Sequence, residues 1–162
     1  GASGVTRGTR GGQPADRETG NVAVSDLCVK GPEGEVVGGG LKAMSIAAGE
    51  KDWYAPPVKQ ACAGKPGCSP SLMAPSTGIP GVVFSGSMDG HMRAHATADG
   101  SMIWDFDTLR EFDTVNGVKA KGGSLNAAGA TISGGMLFVN SGYGALGGMA
   151  GNVLLAFAAD WN

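Results

Sequence analysis

The chain has 162 residues, among them thirty glycines and eight prolines, with 42% hydrophobic and 16% charged residues and a formal net charge of −2. So much turn-forming backbone beside enough apolar side chain for a core favours an all-β protein of many short strands over a helical bundle or a disordered tail. No basic cluster lies beyond the Arg7 to Arg17 stretch, and no apolar run reaches the roughly 20 residues of a membrane span, so neither a nucleic-acid partner nor a membrane span is expected.

Residues 1–18 form a loop-like stretch with neither a charged nor an apolar leader region, and the first methionine is Met44. The chain is therefore expected to be a portion of a longer protein, with any signal peptide lying outside it. Strand-like runs bounded by Gly, Asp or Pro follow at 21–27, 41–46, 51–55, 81–87, 91–97, 101–106, 135–141 and 152–158. None keeps a helical period beyond its flanking glycines.

Two of the three cysteines, Cys62 and Cys68, lie in "ACAGKPGCSP". Gly and Pro there permit a tight turn, and the separation suits a small disulfide loop; the alternative is two free thiols. A disulfide would point to an oxidising compartment and leave Cys28 as a small hydrophobe beside a strand.

Aligning the chain on itself uncovers a repeat. "AMSIAAGEKDW" (43–53) and "AHATADGSMIW" (94–104) share Ala, Gly and Trp at the same places, 51 residues apart. A third partial copy begins at Ala156, and its glycine position falls on Asn162. A repeat of about 50 residues made of short strands, a Gly turn and a Trp is the pattern of a propeller blade. Blades are expected at about 19–57, 70–107 and 122–162, the first with its inner strand obscured, the second starting near 71–77 and the third near 124–133. Three blades are fewer than closure needs, so a β-propeller fragment is the expected fold. Gly49 and Gly100 would turn the third strand into the fourth at positive φ, and Trp53 and Trp104 would pack against the neighbouring blade.

These residues resemble the pyrroloquinoline quinone (PQQ) repeat family and its docking motif AxDxxTGxxxW. Ser45 and Ala96 replace the motif's Asp, while Ala48 and Asp99 replace its Thr. Residues 19–160, through "GVVFSGSMDGHMRAH", "IWDFDTLREFDTVNGVKAKGGS" and "GGMLFVNSGYG", are similar to the PQQ-dependent polyvinyl-alcohol dehydrogenase-like proteins. The resemblance implies an eight-bladed, periplasmic quinoprotein that holds PQQ with Ca²⁺, oxidises a small or polymeric alcohol and passes electrons to a cytochrome c. A non-enzymatic propeller that scaffolds protein partners is the alternative.

Binding residues concentrate on long loops. The connection 107–126 offers Gly122 and Gly123 for close approach to a flat cofactor, Asn116 and Ser124 as hydrogen-bond partners, and Lys121 for a carboxylate or quinone oxygen. A solvated loop whose glycines only make turns is the plainer alternative. Asp113 and Asp26 are the candidates for a catalytic base. Asp105, Asp107 and Glu111 read as surface acids, and His91 with His95 lacks a third metal ligand.

Overall fold

The computed structural model describes residues 12–27, 29–58, 62 and 64–158. Strands β1 (Thr19–Val24), β2 (Gly40–Ser45) and β3 (Lys51–Ala55) form a first sheet in that order. β4 (Thr77–Ile79), β5 (Val82–Gly86), β6 (His91–Ala96) and β7 (Met102–Asp107) form a second. A hairpin of β8 (Glu111–Asp113) and β9 (Lys119–Lys121) precedes the third sheet of β10 (Thr131–Ser133), β11 (Met136–Tyr143) and β12 (Ala150–Ala158). Every pairing is antiparallel between chain neighbours. Small up-and-down sheets that follow one another in this way are the blades of a propeller. The chain is an all-β propeller fragment.

Two inner strands differ from expectation. In the second sheet the strand is short and lies at Thr77–Ile79, because the Pro80–Gly81 turn pairs Ile79 with Val82. Residues 69–76 instead form a packed connection, in which the Ser71 carbonyl accepts from the Met88 amide at 3.0 Å. In the third sheet the strand occupies Thr131–Ser133, since 122–125 is drawn into the buried contact described below. In the first sheet the inner strand is reduced to a bridge between Ala15 and Gly20.

The two-residue period of the strands puts apolar groups on both faces of the middle sheet. Val83 joins Leu41, Ala43, Trp53 and Leu72 in one core layer toward the first sheet. Met92 joins Leu125, Leu137 and Val139 in a second layer toward the third, with Phe84, Trp104 and Phe157 packed on it. Each fully buried Leu, Val or Met side chain contributes about 1.5–3 kcal/mol. The blades are therefore held chiefly by what lies between them.

The repeat motif sits at these layers. Gly49 (φ 69°) turns β2 into β3, and Gly100 (φ 75°) turns β6 into β7, a backbone conformation glycine adopts without cost from a Cβ. Trp53, on the last strand of the first sheet, crosses to the second and donates from Nε1 to the Thr97 carbonyl at 2.8 Å. Its ring lies over Gly100, so that a Cβ there would collide with Trp53 Cε3. Where the family motif has Asp, the Ser45 hydroxyl accepts from the Ala48 amide at 3.2 Å. Ala96 has no such group, and Asp99 caps the Ser101 amide instead at 2.9 Å. Trp104 packs edge-on against Phe157, with centroids 5.2 Å apart, and stacks beside Phe106. It is less covered than Trp53, with a groove of about 390 Å³ running beside it. The positions that match 97–100 in the third repeat are 159–162, outside the described residues, as are Cys28 and most of 1–18.

Candidate functional site

The connections 56–76, 87–90, 108–126 and 144–149 meet at one end of the sheets, opposite the tight turns at 80–81, 97–101 and 134–135. Ser124 Oγ joins three of them. It donates to the Met88 carbonyl at 2.8 Å and accepts from the Met149 amide at 2.8 Å. Beside it, Ser141 Oγ accepts from the Gly123 amide at 2.9 Å and lies 2.7 Å from Thr108 Oγ1. Thr108 in turn donates to the Gly90 carbonyl at 2.6 Å. All three hydroxyls are buried.

This node absorbs Gly122, Gly123 and Ser124. A Cβ at Gly122 would strike the Thr108 carbonyl, and one at Gly123 the Met149 carbonyl. The close approach these glycines permit in this segment is to the chain's own backbone, the Thr108 carbonyl beside Gly122 and the Met149 carbonyl beside Gly123. Nor is 107–126 an open loop. Glu111 pairs with Lys121 and Asp113 with Lys119 across the β8–β9 hairpin, closed by a turn in which the Gly117 amide donates to the Thr114 carbonyl at 3.0 Å. The Asn116–Gly117 pair between alternating residues is a hairpin signal that sequence reading passed over.

Asn116 sits at the hairpin tip, where its Oδ1 accepts from Thr114 Oγ1 and from the Val118 amide. Asp113 is exposed and paired with Lys119. Lys121 projects into solvent while its amide donates to Asn152 Oδ1 at 2.9 Å. Asp26 stands far along the chain at the end of β1, with φ at 41°. Burial of the Tyr54 phenol, then the Asp26 carboxylate, raise the Tyr54 pKa above its ordinary value. The expected cofactor and base residues are thus not brought into one cluster.

A polar assembly not foreseen from sequence lies between the first and second sheets. Arg93 on β6 holds Asp89 through Nη1 at 3.2 Å and Nη2 at 2.8 Å, both residues being almost fully buried. Its Nε reaches Asp105 Oδ2 at 3.3 Å, and the other Asp105 oxygen lies 2.7 Å from His91 Nδ1. Asp105 and His91 are therefore links in a charge network that runs outward from Asp89. Among the described residues, no three His, Cys, Asp or Glu side chains converge to hold a metal.

His95, two residues beyond Arg93 on the same face, has its Nδ1 3.0 Å from the Gly100 carbonyl. Burial, aided by the Arg93 charge and opposed by the Gly100 hydrogen bond and Asp105, lowers its pKa below 6.5. An unfolded chain with His95 near 6.5 then binds more protons than the folded one. Stability from neutral His95 is complete above about pH 6.5 and is lost as pH falls toward the lower folded value. Urea midpoints measured across this range should rise with pH, and His95→Gln should flatten that slope; an unchanged slope refutes the assignment.

Cys62 and Cys68 are disulfide-bonded, with Cα atoms 5.3 Å apart. Within the ring the Lys65 amide donates to the Cys62 carbonyl and the Cys68 amide to the Lys65 carbonyl.

No protein-family model matches the chain. It is 40% identical over 94% of its length to a polyvinylalcohol dehydrogenase of Pseudomonas sp, of which it covers 25%. It is 42% identical over 75% of its length to another, of Sphingopyxis sp. (strain 113P3), of which it covers 20%. The chain thus spans a quarter or less of these relatives. Among solved structures, quinohemoprotein alcohol dehydrogenase from Comamonas testosteroni matches 85% of the chain with a TM-score of 0.60 at 19% identity, the chain covering 18% of it. The computationally designed Ika4 protein matches 90% with a TM-score of 0.51 at 11% identity, the chain covering 63% of it.

Proposed function

We propose that the chain is a β-propeller segment of the polyvinyl-alcohol dehydrogenase-like quinoprotein family and forms part of a PQQ-dependent alcohol dehydrogenase. The observation that carries this reading is the 40% identity sustained across 94% of the chain, since scattered blade motifs alone would not extend through the connections. In this reading residues 19–162 belong to the propeller, and the end of the unassigned stretch 1–18 joins its first sheet through the bridge between Ala15 and Gly20. The whole protein works in the periplasm, oxidises an alcohol and delivers electrons to a cytochrome c. PQQ, with Ca²⁺, would supply the two-electron acceptor.

The segment's own contribution is architectural, with one group left for recognition. Thr108, Ser124 and Ser141 fix the connections at the loop end of the blades and shut water out of the joint. Lys121 leaves this joint with its ammonium in solvent and no ion-pair partner among the described residues, which suits it to a ligand carboxylate.

Titrating PQQ with Ca²⁺ into the complete protein tests both statements. Binding is expected, and Lys121→Ala should weaken it about tenfold, the loss of a charged hydrogen bond worth roughly 1.4 kcal/mol. A complete protein that binds no PQQ would remove the dehydrogenase reading and favour the scaffold. Binding that Lys121→Ala leaves unchanged would remove Lys121 alone.

A further inference from the structure

The disulfide ring does more than close its own loop. Gly67, inside the ring, approaches the third sheet so nearly that a Cβ on it would lie 2.8 Å from the Gly147 carbonyl and 3.4 Å from the Met149 amide. Yet the ring belongs to the connection between the first and second sheets. Immediately after Cys68, Ser69 Oγ donates to Ser71 Oγ at 2.8 Å, and the Ser71 carbonyl takes the Met88 amide. The ring is therefore anchored on the second sheet while its tip rests on the loop 144–149 of the third. That loop returns to the same place, since the Met149 amide donates to Ser124 Oγ, which donates to the Met88 carbonyl.

From this circuit we propose that the Cys62–Cys68 ring is a redox-dependent clasp across the loop end of the propeller, holding loop 144–149 onto Ser124. The bridged ring fixes Gly67 against Gly147. Opening it takes two electrons and two protons from a dithiol, which leaves as a disulfide while the Cys62–Cys68 bond becomes two thiols. Residues 64–67 around it are exposed and both cysteines are half-buried, so a reductant has access. Once opened, the ring loses the constraint that orients Gly67, and loop 144–149 loses the surface that covers it.

Hydrogen exchange on the whole chain, oxidised and reduced with dithiothreitol, tests the clasp. Reduction should speed exchange at the Met149 and Ser124 amides at least tenfold while the β5–β6 ladder, followed at Val83 and Ala94, stays protected. A Gly67→Ala variant with the disulfide intact should loosen the same two amides, and this arm stands even if reduction unfolds the chain. Faster exchange confined to 62–68, or unchanged Met149 and Ser124 amides in oxidised Gly67→Ala, would overturn the proposal and leave the disulfide a local staple.

Discussion

Replacing Asp89 by alanine is expected to destabilise the chain by about 3–5 kcal/mol, the usual cost of stranding one partner of a buried ion pair. Asp89 has no exposed surface and Arg93 has 4%. Removing the carboxylate takes away both Nη contacts, and the His91 amide loses its 3.0 Å acceptor, Asp89 Oδ1. What remains for the guanidinium is the 3.3 Å contact of Nε with Asp105, whose carboxylate is partly solvated. Arg93→Met strands Asp89 in turn and should cost a similar amount. Replacing both, as Asp89→Ala with Arg93→Met, should cost less than the sum of the two single changes, because no charge is then left buried. Urea unfolding of the four proteins decides the matter, and strictly additive losses would show that the pair is not coupled.

The second large effect is expected at Gly100. Alanine there must take a left-handed backbone, at roughly 1–2 kcal/mol, and its methyl group must displace the Trp53 ring, at about another 1–3 kcal/mol of overpacking. Gly49 occupies the same place in the preceding repeat, with nearly the same φ, but a Cβ there meets nothing within 4 Å. Gly49→Ala should therefore lose only the backbone component, and the difference between the two variants measures the docking of Trp53. The fluorescence of Trp53 should also shift to the red in Gly100→Ala and not in Gly49→Ala. Equal losses at both glycines would mean that the ring is not held by this turn.

The motif was legible because its demands are local: a positive φ at one residue and a ring four residues later leave a mark that repeats with the chain. The Cys62–Cys68 spacing was legible for the same reason. The charge network was not. Arg93 and Asp105 face each other only because the Gly100 turn sets the β6–β7 register, and Asp89, buried at the β5–β6 connection, meets Arg93 only in the folded chain. Read along the chain, Asp105 is one more acid in an acidic surface stretch. Gly122 and Gly123 pose a different difficulty. A glycine that admits a ligand and one that admits a passing carbonyl look alike in sequence, and here the carbonyls of Thr108 and Met149 occupy the space. The hairpin carried a usable signal in Asn116–Gly117, masked by the length of the segment in which it lies.

The Trp53 hydrogen bond also bears on how such a chain matures on the ribosome. Its acceptor lies 44 residues downstream, at Thr97, so the first blade can complete its own strand pairing and still lack the partner for its tryptophan. Each newly made repeat then finishes the one before it, and the growing end always carries an uncovered aromatic ring. In a repeat array with nearest-neighbour coupling of this kind, folding should lag synthesis by about one blade, and the ring most exposed to misassociation should be the one most recently made.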